Sequence, residues 1–235
     1  MGVLIFAFGD FSNVFQPIQA LGEVPHRHVW AILAATLLVA GGLMTMVRRT
    51  EAMGAAVVGV VTLGFATFWI PRVAGYPRMI GVWLGLAEEI SMVMAAVLLV
   101  RAVREEGTKA KWHERAPYVV YGLCVMTFGL AHFLALQATA EMVPGWMPAG
   151  QYFWAGATGV AHLLAGVAIA TGIAAKLAAR LLTLMIVLFG LLVWLPIVVA
   201  HPKDQTSWMG NAFNLAMAGA AWVVADRWTS RADAE

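Results

Sequence analysis

Long apolar runs separated by short, proline-bearing polar segments dominate this chain. A helix needs roughly 20 apolar residues to cross the hydrocarbon core of a bilayer. Turn signals such as Pro25, Pro77, Pro144 and Pro202 separate the runs. The pattern predicts an all-α, polytopic membrane protein with eight transmembrane helices, the first of them short, over residues 2–18, 29–47, 53–71, 80–101, 117–138, 152–174, 179–200 and 209–226.

The sequence also repeats itself. A shift of 125 residues aligns Trp69–Arg78 with Trp194–Lys203, so that two prolines and a cation recur at the same offsets. The register continues through Trp83 and Trp208. A four-helix repeat returns to the same side of the membrane, so the copies are expected to be parallel. The predicted organisation is two four-helix units, 1–101 and 117–228, joined by a basic linker, 102–116, and followed by a tail, 229–235.

Composition agrees with a lipid environment. Hydrophobic residues make up 61% of the chain and charged residues 12%, about half the charged share of a soluble domain. The formal net charge of +2 is too small and too scattered to indicate a nucleic acid partner. Cys124 is the single cysteine, which excludes an intrachain disulfide and a CxxC redox pair. Redox chemistry would therefore need a bound cofactor or a partner protein.

The distribution of Lys and Arg predicts the orientation. The connections after predicted helices 2, 4 and 6, together with the tail, hold most of the cations: Arg48, Arg49, Arg101, Arg104, Lys109, Lys111, Arg115, Lys176, Arg180, Arg227 and Arg231. The opposite connections hold Arg27, Arg72, Arg78 and Lys203. The positive-inside rule places the richer set in the cytoplasm. We therefore expect a multi-pass protein of the inner membrane with both termini cytoplasmic.

The second half of the chain resembles the DoxX family. The resemblance rests on His132-Phe133, the loop Met142–Pro148, Trp154 and the glycine-rich stretch Gly159–Gly166, and it covers about 117–226. It implies a four-helix membrane unit and an association with quinone-linked oxidation of sulfur compounds or with membrane redox complexes. Many members of that family carry a glutamate on the second helix where this chain has His162.

Five ionisable residues fall at similar depth in the predicted helices, all towards the exterior. Counting about 1.5 Å of rise per residue, they lie roughly 9 to 15 Å below the exterior helix ends. Charges inside a membrane are costly and usually functional. Asp10, Glu88, Glu89, His132 and His162 are therefore the candidate catalytic and proton-handling residues. The alternative is that each serves a hydrogen bond between helices.

Other residues are candidates for binding rather than chemistry. Arg72 and Arg78 flank the exterior ends of predicted helices and are suited to attract an anionic substrate, although anchoring to the membrane surface explains them equally. Asn214 aligns with Glu89 in the repeat, and Trp83 aligns with Trp208; these three residues, Asn214, Trp83 and Trp208, join the candidate substrate contacts. His26 and His28 form a His-x-His that is a weak candidate for copper or zinc.

The leading hypothesis is a quinone-linked membrane oxidoreductase, or the membrane subunit of one. The sequence leaves the cofactor open, with quinone as one candidate and haem or a metal ion as the alternative. The expected partner is the lipid bilayer, with other membrane subunits or quinone as further candidates. A binding or transport module for a small lipophilic or anionic molecule is the second hypothesis. A structural subunit of a larger membrane complex, whose polar layer serves packing alone, is the third.

Overall fold

The computed structural model of this chain describes residues 1–104 and 115–228, and within these ranges the secondary structure is helical. The elements are α1 Gly2–Phe8, a 3₁₀ turn Ile18–Leu21, α2 Arg27–Thr45, α3 Glu51–Gly75, α4 Ile80–Arg104, α5 Ala116–Leu134, α6 Leu136–Met142, α7 Gln151–Thr171, α8 Ala175–Phe189, a π-helical turn Gly190–Trp194, α9 Leu195–Ala200 and α10 Gln205–Arg227.

Within the described ranges, six helices are long and apolar enough to cross a membrane. They are α2, α3, α4, α5, α7 and the continuous helix Ala175–Ala200 formed by α8, the π-helical turn and α9. The helical membrane architecture agrees with the sequence. The number of crossings and the location of the termini remain predictions.

The predicted first helix, 2–18, is wrong beyond Phe8. α1 has seven residues and ends at Gly9, whose backbone is left-handed (φ 71°). The chain then runs irregularly and packs inward, with Phe11 and Gln16 buried. Gln16 closes this loop, because its side-chain oxygen accepts the Ser12 N–H at 3.1 Å. An apolar run thus became a packed loop, because its aromatic side chains find partners on other helices.

Two further boundaries differ from the sequence prediction. The predicted helix 117–138 breaks at Ala135, which separates α5 from the short α6. The last predicted helix, 209–226, extends over Gln205–Arg227 and has 23 residues, yet it is not apolar enough to count among the six. α10 is extensively buried among other helices of the bundle. Contact with protein therefore replaces contact with lipid over much of its surface.

Five helices form a closed ring. α4 packs against α5, α5 against α7, α7 against α8, α8 against α10, and α10 against α4. α3 packs on the outside against α4, and α2 against α3. The starts of α2, α4, α7 and α10 lie at one end of the bundle, here called the Arg27 end, and the opposite end is called the Arg227 end.

The same tryptophan–glycine contact holds a pair of helices together in each half of the chain. The indole of Trp69 on α3 lies directly against Gly85 on α4, and that of Trp194 lies against Gly210 on α10. Any Cβ at either glycine would collide with the ring. Both pairs are related by the shift of 125 residues, so the aligned positions make equivalent contacts.

Loops at the Arg27 end share a second contact. The indole N–H of Trp83 donates to the Pro77 carbonyl at 2.9 Å, and that of Trp208 donates to the Pro202 carbonyl at 2.9 Å. Trp154 repeats the geometry with Pro148 at 2.7 Å. The proline carbonyl has no helical donor, and the tryptophan six residues later satisfies it while fixing the entry of the next helix.

Charged and aromatic side chains join the two halves at the Arg227 end. Arg227 Nη2 donates to Glu51 Oε1 at 2.6 Å, and the Tyr118 hydroxyl donates to the Arg227 carbonyl at 2.6 Å. Trp228 packs edge-on against Tyr118 and lies under Arg115. Most of the basic linker 102–116, including Lys109 and Lys111, and all of the tail 229–235 lie outside the described residues.

We predict that Gly210→Ala destabilises the fold, because its new methyl group must displace Trp194. Overpacking of this kind costs about 1–3 kcal/mol. Gly219→Ala in the same helix is the matched control, since nothing lies within 4 Å of its Cβ position. Thermal unfolding in detergent should show a lower Tm for Gly210→Ala alone. Equal Tm values for the two variants would contradict the assigned contact.

We expect the stability of the fold to depend on pH through Asp204 at the start of α10. Its side chain caps α10 by accepting the Ser207 hydroxyl at 2.6 Å and the Ser207 N–H at 2.8 Å. These bonds, the hydroxyl first, hold the pKa of Asp204 below its ordinary value. The resulting stabilisation is complete above the ordinary aspartate pKa and is lost as the pH falls through the lowered pKa.

Asp204→Ala should therefore lower the Tm at neutral pH, and the difference from the parent chain should shrink in acid. Asp204→Asn, which keeps a capping oxygen without the charge, should remove the pH dependence and retain part of the stability. Parallel unfolding curves of Asp204→Ala and the parent chain at every pH would exclude this role.

Candidate histidine site in the helix ring

The structure brings two of the predicted residues together. His132 near the end of α5 and His162 in α7 lie side by side, with ring centroids 4.8 Å apart and planes tilted by 44°. His162 is 3% exposed, while His132 is partly exposed. We call these two residues the histidine pair.

Glycines on α5 and α7 allow these two helices to approach closely at the histidine pair. A Cβ at Gly129 on α5 would lie 2.8 Å from the Gly159 carbonyl of α7, and one at Gly159 would lie 2.8 Å from His132 Cβ. Two turns away, Gly122 and Gly166 meet in the same manner. Small residues allow helix backbones to touch inside a membrane. The pair is therefore a consequence of the α5–α7 interface, which the sequence shows only as scattered glycines.

Hydrogen bonds fix the tautomer of both rings. His132 Nδ1 lies 2.8 Å from the Phe128 carbonyl, and His162 Nδ1 lies 2.9 Å from the Thr158 carbonyl. A carbonyl oxygen only accepts, so each Nδ1 carries the hydrogen. In the neutral imidazole, Nε2 is then a hydrogen-bond acceptor and a ligand atom. Two such acceptors stand on adjacent rings.

Aromatic rings surround the pair. Phe189 of α8 lies nearly parallel to His132 at 6.4 Å and 6.0 Å from His162, and Phe128 meets His162 edge-on at 6.0 Å. α5 and α8 both flank α7, so Phe189 reaches past α7 to His132. His162 is buried, and rings from α5 and α8 pack against it. Flat rings and two acceptor nitrogens suit a planar head group with hydroxyl donors.

A π-helical turn begins at the residue after Phe189. The N–H of Leu195 bonds to the Gly190 carbonyl, one residue further back than in an α-helix. Asn214 on α10 donates its side-chain N–H to the Ile186 carbonyl at 2.8 Å, and Gly190 leaves room for that amide. Turns of this kind often occur at functional sites. Asn214 therefore binds backbone beside the site, while its predicted role as a substrate contact stays a prediction.

Asp10 lies away from the histidine pair, at the Arg27 end of the bundle. It follows the end of α1, and its carboxylate accepts Arg27 Nε at 2.8 Å at the start of α2. The Asp10 carbonyl also accepts Gln205 Nε2 of α10 at 3.0 Å. Its predicted position inside the first helix is therefore wrong, because α1 ends at Phe8. Asp10 holds three elements together at the Arg27 end.

The two glutamates of α4 differ in environment. Glu89 is fully buried, and both of its carboxylate oxygens lack a hydrogen-bond partner. Glu88 is partly exposed, and its backbone carbonyl accepts the Ser91 hydroxyl at 2.7 Å. Ser91 also reaches Met217 Sδ of α10 at 3.2 Å. The catalytic roles given to the glutamates and histidines remain predictions.

Three of the four predicted binding residues at the Arg27 end have contacts of their own. The Arg72 guanidinium lies over the Trp69 ring, 5.7 Å from its centroid, and Arg78 is exposed. Trp83 and Trp208 donate to proline carbonyls. These contacts favour anchoring of the loops, and substrate binding by the four residues stays a prediction.

A metal centre has little support in the described ranges. Across residues 1–104 and 115–228, no group of three or more His, Cys, Asp or Glu side chains is placed to hold a metal ion. His26 starts α2 with a left-handed backbone, and His28 Nδ1 lies 3.0 Å from the Gly9 carbonyl. The predicted His-x-His thus contributes to the loop that joins α1 to α2.

Sequence reasoning missed Phe128, Phe189 and Gly190. Phenylalanine and glycine are common in membrane helices, so nothing marks these as site residues. Phe128 stands four residues before His132 and so shares its helix face, which is the one signal available. The recurring Pro–Trp spacing, by contrast, was visible and corresponds to a real contact.

Comparison with known proteins shows a match over part of the chain and indicates no activity. Residues 122–222 match the family model of a domain of unknown function (DUF8561). The match extends from α5 into α10 and therefore includes both histidines. No curated protein and no solved structure matches this chain.

Nitrogen NMR of selectively labelled histidine tests the tautomer assignment. We expect His132 and His162 to carry hydrogen on Nδ1, with Nε2 showing the shift of an unprotonated nitrogen. His201, which is exposed, should show the ordinary mixture and serves as the internal reference. A hydrogen on Nε2 of either buried histidine would exclude that nitrogen as an acceptor.

Proposed function

We propose that this chain is a membrane-embedded quinone-linked oxidoreductase, or the membrane subunit of one, whose head-group site is the histidine pair. The observation that carries the proposal is the pair of adjacent rings whose Nε2 atoms are both left as acceptors. A quinol presents two hydroxyl donors on a flat ring, and two acceptor nitrogens complement it.

The surroundings support a lipid-soluble ligand. Phe128 and Phe189 provide apolar faces against which a quinone ring stacks. Apolar helices put the ring of five helices in contact with the bilayer, where quinones dissolve. The resemblance of residues 117–226 to the DoxX family, with its quinone-linked members, favours the same activity.

The residues then have distinct roles. Oxidation of a quinol to the quinone releases two protons and two electrons. Nε2 of His132 and of His162 would accept the protons, and the i−4 carbonyls would stabilise the imidazolium rings through the Nδ1 hydrogens. The electrons would pass to an acceptor on a partner subunit, since Cys124 cannot form an intrachain disulfide.

Binding of decylubiquinone tests the proposal. We expect His132→Phe and His162→Phe to weaken binding about tenfold each, the equivalent of one hydrogen bond of about 1.4 kcal/mol. Phenylalanine keeps the ring and removes the acceptor. His201→Phe, at an exposed loop position, is the matched control and should bind like the parent chain.

Titration followed by quenching of tryptophan fluorescence gives the Kd, and organic extraction of the purified protein shows whether a quinone accompanies it. Thermal unfolding separates lost binding from lost structure. Folded His132→Phe and His162→Phe proteins with unchanged Kd would reject the proposal and favour a packing role for the pair. A parent chain that binds no quinone would reject it as well.

A further inference from the structure

Glu89 on α4 is a carboxyl side chain buried inside the bundle. It is 0% exposed, and neither carboxylate oxygen has a hydrogen-bond partner among the described residues. A buried polar group normally finds a partner, and a carboxyl inside a membrane is costly without one. The described helices supply no hydrogen-bond partner to this carboxyl.

The packing of α3 on α4 fixes the level of Glu89. Trp69 contacts Gly85 near the Arg27 end, and a Cβ at Gly59 would lie 2.9 Å from Ala96 Cβ further down. Gly85 and Glu89 are four residues apart and share a face of α4. Because the helices are antiparallel, Glu89 lies at the level of Phe65 and Ala66 on α3, between the two contacts.

Aromatic rings cluster at this level. Phe65 meets Phe11 edge-on at 5.9 Å and packs against Phe68 at 5.8 Å, and Phe11 meets Phe68 at 6.0 Å. Phe11 comes from the irregular segment that follows α1. We call Phe11, Phe65 and Phe68 the phenylalanine cluster. An ionised carboxyl at the level of these rings would present negative charge and aromatic faces together.

The second half of the chain provides an internal comparison. Asn214 occupies the position aligned with Glu89, and its amide is satisfied by the Ile186 carbonyl. There the opposing helix contains the π-helical turn and Gly190, whereas α3 is regular and carries Phe65 at the aligned position. In the second half, the polar side chain at this position is therefore satisfied, because its amide donates to a backbone carbonyl. The carboxyl of Glu89 has no such partner, so packing does not explain it.

We propose that Glu89 and the phenylalanine cluster bind the ammonium group of a small lipophilic primary amine. Two ammonium N–H groups would donate to the two carboxylate oxygens, and the aromatic faces stabilise the positive charge. An inorganic cation is less suitable, because one carboxylate is an incomplete ligand set and no group of three candidate ligands occurs in residues 1–104 and 115–228.

This site is distinct from the histidine pair and does not depend on the quinone proposal. His132 and His162 belong to α5 and α7, whereas Glu89 belongs to α4 and shares the helix face of Gly85, which contacts Trp69 of α3. An amine would enter from the bilayer, in which its apolar part dissolves.

Calorimetric titration with 2-phenylethylammonium tests the site, with the neutral 2-phenylethanol as its uncharged counterpart. We expect the parent chain to bind the ammonium and to bind the alcohol at least tenfold more weakly. Glu89→Gln should lose at least tenfold in affinity for the ammonium. Glu141→Gln removes an exposed carboxylate by the same substitution and should bind like the parent chain.

Phe65→Leu is the second variant, because it leaves the carboxyl in place. It should weaken ammonium binding several-fold while the weak binding of the alcohol changes little. Thermal unfolding identifies the variants that fold. The proposal fails if the parent chain binds no ammonium, if the alcohol binds equally well, or if folded Glu89→Gln or Phe65→Leu retains the parent affinity.

Discussion

Close contact between helix backbones is the constraint on which this bundle depends. Lipid is as apolar as leucine, so helices in a bilayer gain little from burying apolar surface and associate through tight packing instead. Here glycine makes that packing tight in two ways. Trp69 and Trp194 lie directly against glycines of the next helix, and α5 meets α7 through Gly122, Gly129 and their counterparts. Each contact fixes the level at which neighbouring side chains meet.

The two halves use one scaffold for different chemistry. Tryptophan on glycine, and tryptophan N–H on a proline carbonyl, recur at aligned positions. Between these shared contacts the halves diverge. The second half has the histidine pair, the π-helical turn and a satisfied Asn214, whereas the first has a regular α3 and an unpartnered Glu89. The shared contacts therefore leave a few buried positions at which the two halves carry different residues.

Separation of the polar residues bears on function. The sequence places the candidate acids and histidines at similar depth in the predicted helices. Instead Asp10 pairs with Arg27, the buried Glu89 belongs to α4, and the histidines of α5 and α7 lie side by side. The histidine pair as proton acceptor for a quinol and Glu89 as counter-charge for an amine are therefore two separate proposals. Each rests on a different interface and can fail without the other.

The sequence by itself determined the apolar helices, the aligned tryptophan, glycine and proline positions, and His132 and His162 as residues of interest. These are local or periodic properties of the sequence, so they can be recognised without knowing which residues are neighbours in space. Tertiary structure decided the rest. α1 ends at Gly9 because Phe11 and Phe15 pack on other helices, and α10 tolerates polar residues because protein covers it. The meeting of the histidines depends on two glycines 30 residues apart, Gly129 and Gly159, which no local pattern relates.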